Sequence, residues 1–95
     1  MPKFTVRVEL RNSQNADYEK LNEMMMSKGF LRTIPLSGGG AVLLLPDAEY
    51  NYESMTKFKS QVGRLAESVA RQFCDNPKIM VTKSAGRWFA NLDEA

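Results

Sequence analysis

The chain has 95 residues and a formal charge of +2, from 13 basic and 11 acidic side chains. It contains one cysteine and no histidine, which excludes a Ser-His or Cys-His nucleophile pair and an intramolecular disulfide. The length and the 43% hydrophobic content are typical of one folded unit, so we expect residues 1–95 to form a single domain.

The single cysteine and the lengths of the apolar runs also indicate the cellular compartment of the protein. A lone Cys74 favours a reducing, cytoplasmic compartment. The N-terminal residues alternate in character instead of forming an apolar run, so we expect no signal peptide. The longest wholly apolar stretch, residues 41–45, is far shorter than the ~18 residues that a membrane span needs.

The first part of the chain predicts a strand followed by a helix. Residues 4–11 alternate apolar and polar side chains, which is typical of a half-buried strand. A helix is predicted over residues 16–28, with Asn15 as its N-cap and Gly29 as the left-handed residue that ends it.

A hairpin is predicted next. Residues 30–34 indicate a second strand, and a glycine-rich connection over residues 37–40 leads into a third strand over residues 41–45. Because this third strand is continuously apolar, we expect it to lie at the centre of the sheet.

The second half predicts a polar connection, a long helix and a last strand. We expect residues 46–53 to form the connection, and Ser54 to cap a helix that ends near Cys74. Apolar side chains recur along that helix at spacings of three and four: Met55, Phe58, Val62, Leu65, Val69 and Phe73. Residues 78–83 alternate again and indicate a strand.

Two large aromatic side chains, Trp88 and Phe89, follow a glycine break near the C-terminus. Two interpretations stay open: the rings cap the core of the monomer, or they dock on another subunit. The first is favoured, since a small domain gains from added apolar burial.

The element order β-α-β-β-α-β with a short C-terminal extension is that of the ferredoxin-like α+β fold. We therefore expect one four-stranded antiparallel sheet with both helices on one face. The first and last strands should lie side by side, with the third strand at the centre.

The sheet face opposite the helices is the first candidate site. If the apolar side chains of the first strand lie beneath the helices, Lys3, Arg7 and Arg11 project from the other face, with Lys78 beside them. Arg32 joins them in one of the two possible registers. Such a face can bind phosphates through charge and arginine hydrogen bonds. The alternative is an ordinary solvated, charged sheet surface.

The predicted connection over residues 46–53 is the second candidate site. Tyr50 and Tyr52 can stack on bases or donate hydrogen bonds to phosphate; alternatively, their rings close the edge of the core. Three carboxylates in the same segment can help to hold a hydrated magnesium ion: Asp47, Glu49 and Glu53. Nothing in the sequence requires a metal or a cofactor, so we expect none.

The most distinctive patterns lie in residues 4–10, 17–21, 28–30, 32–34, 45–53 and 81–87, and Ala48-Glu49-Tyr50-Asn51-Tyr52-Glu53 is the most specific piece. Together they cover most of the chain and resemble the GhoS-type endoribonuclease antitoxin family, above all its uncharacterised members. The resemblance implies a Cas2-like ferredoxin fold and cleavage of a toxin's messenger RNA. It transfers no catalytic residue, because Arg11 and Asn12 stand where a metal-dependent nuclease of that fold would place an aspartate.

The sequence therefore predicts a small RNA-binding protein, with single-stranded RNA as its partner, that resembles the endoribonuclease antitoxins of toxin–antitoxin systems. Whether it is an enzyme stays open. The alternative is a non-catalytic module for protein interaction or homo-oligomerisation. We expect a monomer or a weak homodimer.

Overall fold

A computed structural model describes residues 2–11, 15–35 and 41–95. In chain order the elements are β1 (Lys3–Glu9), α1 (Asn15–Ser27), β2 (Thr33–Pro35), β3 (Val42–Leu44), β4 (Glu49–Glu53), α2 (Lys59–Ala70) and β5 (Lys78–Lys83). The predicted glycine-rich connection over residues 37–40 and the side chain of Asn15, the predicted N-cap, lie outside the described residues. No helix in the described ranges is long and apolar enough to cross a membrane.

Three strands form the main sheet, in the order β4-β1-β5. β1 is central and antiparallel to both neighbours, so that Val6 lies opposite Tyr50 on one side and Val81 on the other. β2 and β3 pair with each other in a separate two-stranded antiparallel sheet. The α+β class and the adjacent first and last strands are therefore confirmed. The predicted four-stranded sheet is wrong, because the five strands within the described residues divide into sheets of three and two.

The strand predicted at the centre, residues 41–45, lies in the two-stranded hairpin instead. Its place beside β1 is taken by β4, in a segment whose polar sequence predicts a connection. The reason is that Tyr50, Asn51 and Tyr52 are all buried, and tyrosines suit a half-buried strand as well as aliphatic residues do. Leu31 joins the other edge of β4 through an isolated antiparallel bridge to Asn51, with N–O distances of 2.9 and 2.7 Å.

One hydrophobic core lies between the main sheet and both helices. β1 contributes Phe4, Val6 and Val8, and α1 contributes Leu21 and Met25, all of them buried. The buried residues of α2 in the same core are Val62, Ala66, Val69 and Ala70. Since both helices pack into one cluster, they lie on the same face of the sheet, as predicted.

The second helix is shorter than predicted. It spans Lys59–Ala70, and Ser54 closes a turn instead of capping it, because the serine hydroxyl accepts backbone N–H hydrogen bonds at 3.1 and 3.2 Å. Such local bonds compete with helix formation. Met55 and Phe58 are therefore 73% and 75% exposed instead of buried along the helix.

Gly29 ends α1 as predicted. Its φ of 93° lies in the left-handed region, which any side chain disfavours. A Cβ at this position would also lie 3.3 Å from Cε1 of Tyr52. The glycine thus lets the chain turn directly towards Phe30, whose ring packs on Tyr52 with the centroids 4.5 Å apart.

Candidate functional site

The sheet face opposite the helices carries charges of both signs. Its residues are Lys3, Thr5, Arg7 and Glu9 from β1, Glu49, Asn51 and Glu53 from β4, and Lys78, Met80 and Thr82 from β5. Arg7 lies 4.0 Å from the carboxylate of Glu49, and Lys78 lies 3.8 Å from that of Glu9. The predicted basic residues Lys3, Arg7 and Lys78 do lie on this face. Acidic residues of β4, which the sequence predicts to lie in a loop, offset their charge.

Arg32 does not join this face as an available cation. Its side chain is 13% exposed, and its guanidinium donates hydrogen bonds to three backbone carbonyls of residues 45–49, at 2.6, 2.7 and 3.1 Å. It also lies 3.5 Å from the carboxylate of Asp47 and 5.8 Å from the centre of the Tyr50 ring. Arg32 therefore holds the turn that leads into β4.

Arg11 lies just beyond the end of β1. Its Nε donates a hydrogen bond to the backbone carbonyl of Asn76 at 2.6 Å, and the side chain is exposed. This bond ties the end of β1 to the turn that follows α2. Of the predicted basic residues, Lys3, Arg7 and Lys78 are the ones that the structure brings together on the sheet.

Tyr50 and Tyr52 do not project from a loop, which corrects the second predicted site. Both belong to β4, and they are 0% and 8% exposed. The hydroxyl of Tyr50 donates a hydrogen bond to Oδ1 of Asn22. A ring that stacks on a base must expose one of its faces, so the interpretation that these rings close the core is confirmed.

The buried hydroxyl of Tyr50 predicts a fall in stability at alkaline pH. Burial raises the pKa of Tyr50 to about 12, and the nearby charge of Arg32 only partly opposes this shift. In the unfolded chain a tyrosine loses its proton near pH ~10. Between these two values the folded state binds more protons than the unfolded state, so the free energy of unfolding is unaffected at lower pH and falls as pH rises through this window.

Urea unfolding followed by circular dichroism at a series of alkaline pH values measures this effect. We expect the unfolding midpoint of the wild type to fall more steeply than that of Tyr50→Phe, which lacks the ionisable hydroxyl. Equal slopes in the two proteins would contradict the assignment to Tyr50.

The three carboxylates considered for magnesium, Asp47, Glu49 and Glu53, face different partners. Asp47 and Glu49 each lie beside a different arginine, and Glu53 accepts a hydrogen bond from the amide of Asn51 at 3.3 Å. Among the described residues, no group of three acidic or cysteine side chains is arranged to hold a metal ion.

Residues 84–95, which we call the strap, cross the sheet face opposite the helices. The N–H of Ser84 donates to the carbonyl of Lys3 at 2.8 Å. The guanidinium of Arg87 then donates to Oγ1 of Thr5 at 3.0 and 3.2 Å and to Oδ1 of the buried Asn51 at 2.8 Å. Arg87 thus anchors the strap to both β1 and β4. No local pattern in the sequence indicates this long-range anchor.

The end of the strap joins the hairpin. Glu94 forms an isolated antiparallel bridge with Leu43, flanked by backbone hydrogen bonds of 2.8 and 2.9 Å. Leu92 packs against a second small core formed by Ile34, Leu43 and Leu45. The strap therefore connects the main sheet to the two-stranded sheet.

The ring of Trp88 stays in water although the strap itself is docked. Trp88 is 88% exposed and Phe89 is 40% exposed. The favoured interpretation, in which both rings cap the core, is therefore wrong for Trp88. The strap docks through Arg87, through Leu92 and through its backbone, and the indole contributes little to that docking.

A cavity of about 170 Å³ lies between the strap, the main sheet and the hairpin. Its polar lining consists of Thr5, Glu49 and Arg87, and its apolar lining of Ile34, Leu45, Pro46, Trp88, Phe89 and Leu92. The cavity thus adjoins both the mixed-charge sheet face and the exposed indole.

No family model matches the chain, and comparisons with curated proteins and with solved structures give no match either. A proposal for the function therefore depends on the geometry of the sheet face and the strap.

Proposed function

We propose that this chain is a cytoplasmic protein that binds single-stranded RNA through the sheet face opposite the helices and the strap. The observation that carries the proposal is Trp88, an indole that is 88% exposed on a strap fixed to the sheet by Arg87. Exposed aromatic rings beside cations are the combination with which proteins bind single strands, because every base can stack on a ring while its phosphates meet the charges. Lys3 and Arg7 supply such charges on the same face.

We also propose that the topology is the ferredoxin-like one that the resemblance implies. Its support is the bridge between Leu31 and Asn51, which stands at the edge of β4 where a fourth strand would pair. If the bridge at Leu31 is counted as a fourth strand, the strands lie side by side in the order Leu31, β4, β1 and β5. This is the strand order of a split βαβ sheet.

Cleavage of the bound RNA is a separate proposal that rests on the resemblance to GhoS-type antitoxins. No side chain is assigned to a chemical step. Incubating the protein with RNA and separating the products on a gel tests it, since cleavage gives shorter fragments and binding alone leaves the RNA intact.

Fluorescence anisotropy of a short labelled RNA tests the binding proposal. We expect Trp88→Ala to weaken binding by about 5- to 150-fold, which corresponds to the ~1–3 kcal/mol that one stacked base contributes. Lys3→Ala and Arg7→Ala should each weaken binding. Each should also reduce the slope of log affinity against log salt concentration by about 1, the change expected when one phosphate contact is lost. The control is Arg64→Ala, which removes an exposed arginine from α2, on the opposite side of the sheet.

If adding the wild-type protein at low salt left the anisotropy of the labelled RNA unchanged, the proposal would be contradicted. The same exposed indole favours a second candidate function, association of two copies of the chain, since tryptophan is enriched at the centres of protein interfaces. Light scattering separates the two: a mass that rises with concentration in the wild type but not in Trp88→Ala, together with no RNA binding, would favour self-association.

A further inference from the structure

The geometry points to a binding site for one unpaired guanine base in the cavity beneath the strap. This inference rests on the proposed RNA binding and deepens it by naming the base that the site selects.

The size of the cavity suits a single flat ring system. Its volume of about 170 Å³ is well below the roughly 300–1,000 Å³ of sites that enclose drug-sized ligands. A whole nucleotide would not fit, so the sugar and phosphate must stay outside. Ile34, Leu45 and Leu92 form an apolar inner wall, and the ring of Trp88 stands at the cavity with most of its surface in water. A base that enters therefore has a ring on which to stack.

The polar lining distinguishes one base from the others. Glu49 lines the cavity, and its carboxylate, which also lies 4.0 Å from Arg7, can only accept hydrogen bonds. Guanine offers two adjacent N–H donors on its Watson–Crick edge, N1–H and the exocyclic amine, which one carboxylate can accept together. Adenine and cytosine offer a single amino group beside an acceptor, and uracil offers one N–H between two acceptors. Uracil would therefore place its oxygens against a negative charge.

Thr5 completes the recognition of that edge. Its hydroxyl accepts hydrogen bonds from Arg87, which leaves the O–H to donate to an acceptor such as O6 of guanine. Thr5 and Glu49 are diagonal neighbours on β1 and β4, a relation that places such residues about 7–8 Å apart. The edge of one purine with its two sets of hydrogen bonds can bridge that separation.

The charges around Thr5 suit the nucleotide outside the cavity. Lys3 and Arg7 lie two residues before and after Thr5 on the same face, which places each about 7 Å away along β1. Both side chains are exposed. A base seated over Thr5 would therefore have a cation on each side to meet the phosphates of its own strand.

The emission of Trp88 reports on this site directly, because it is the only tryptophan in the chain. The probes are guanosine, adenosine, cytidine and uridine monophosphates, followed by oligouridine with and without one central guanosine. We expect guanosine monophosphate to quench the emission and to bind about 5- to 150-fold more tightly than uridine monophosphate, the range that a bidentate base contact supplies. Glu49→Gln should remove that preference, since an amide presents one acceptor and one donor.

Glu53→Gln is the matched control, because Glu53 lies on the same strand and face as Glu49 but does not line the cavity. It should keep the preference for guanine. RNA binding with equal quenching by all four nucleotides, or a preference that survives Glu49→Gln, would overturn the guanine site and leave the proposed function standing. A guanine-selective quench without any binding of longer RNA would support the site and overturn the proposed function.

Discussion

Replacing Tyr50 by alanine is expected to lower the free energy of unfolding by about 3–5 kcal/mol, the range found when a large buried aromatic side chain is truncated. The ring is fully buried in the core between the sheet and the helices, and its hydroxyl is bonded to Asn22. Since domains of this size are commonly stable by only about 5–15 kcal/mol, the variant should lie close to its unfolding transition. Guanidinium unfolding followed by circular dichroism measures the loss.

Tyr50→Phe is the control for this prediction. It keeps the ring and loses the hydrogen bond to Asn22, so we expect a loss of about 1 kcal/mol and unchanged RNA binding. If Tyr50→Ala kept its stability and lost RNA binding, the ring would be a surface contact, and its position in the core would be refuted.

Arg32→Ala should also destabilise the protein, by about 2–6 kcal/mol for two lost charged hydrogen bonds. Two of the backbone carbonyls that accept from its guanidinium are partly buried, and each loses a charged donor, at about 1–3 kcal/mol per bond. The nearby Asp47 is fully exposed, so that ion pair contributes little. Thermal and urea unfolding measure the change.

Arg32→Lys tests the geometry of this contact. It keeps the charge, but a lysine ammonium cannot reproduce the planar fork that reaches several carbonyls at once. We therefore expect it to recover only part of the lost stability. Arg64→Ala, at an exposed helix position, should stay within about 0.5 kcal/mol of the wild type. A stable Arg32→Ala with weakened RNA binding would show that the side chain contacts RNA instead of holding the turn.

The elements that the sequence predicts well are those with a clear local period. Residues 78–83 predict a strand with Ile79 and Val81 on one face, and β5 spans the same residues. The helix predicted over residues 16–28 is found one residue earlier, at Asn15–Ser27. In both segments the apolar face that the sequence displays is the face that packs in the core, so local pattern and tertiary packing agree.

The second helix shows why a spacing rule alone overextends an element. Met55 and Phe58 continue the apolar spacing of α2, and yet both side chains lie in water ahead of it. The hydroxyl of Ser54, ahead of the helix, accepts hydrogen bonds from the backbone of residues 56 and 57, and these bonds end the helical pattern. Spacing records which side chains could share a face, whereas the hydrogen bonds of the backbone decide where the helix begins.

The candidate site was only partly predictable. The alternation of β1 correctly placed Lys3 and Arg7 together on the face away from the helices. The acidic partners come from β4, whose pairing with β1 joins residues more than forty positions apart. The cavity depends on Arg87, which contacts Thr5 from 82 positions away. No short-range sequence pattern predicts contacts between residues so far apart in the chain.

Local patterns in the sequence are enough to predict the α+β class, the faces of β1 and β5 and the end of α1 at Gly29. They do not predict which strand pairs with β1, and in the folded chain the tyrosine-containing β4 lies there instead of the aliphatic β3. Periodicity depends on each segment alone, whereas strand pairing depends on competition between distant segments for the same backbone partners and the same core. The buried rings of β4, the turn held by Arg32 and the strap anchored by Arg87 are outcomes of that competition.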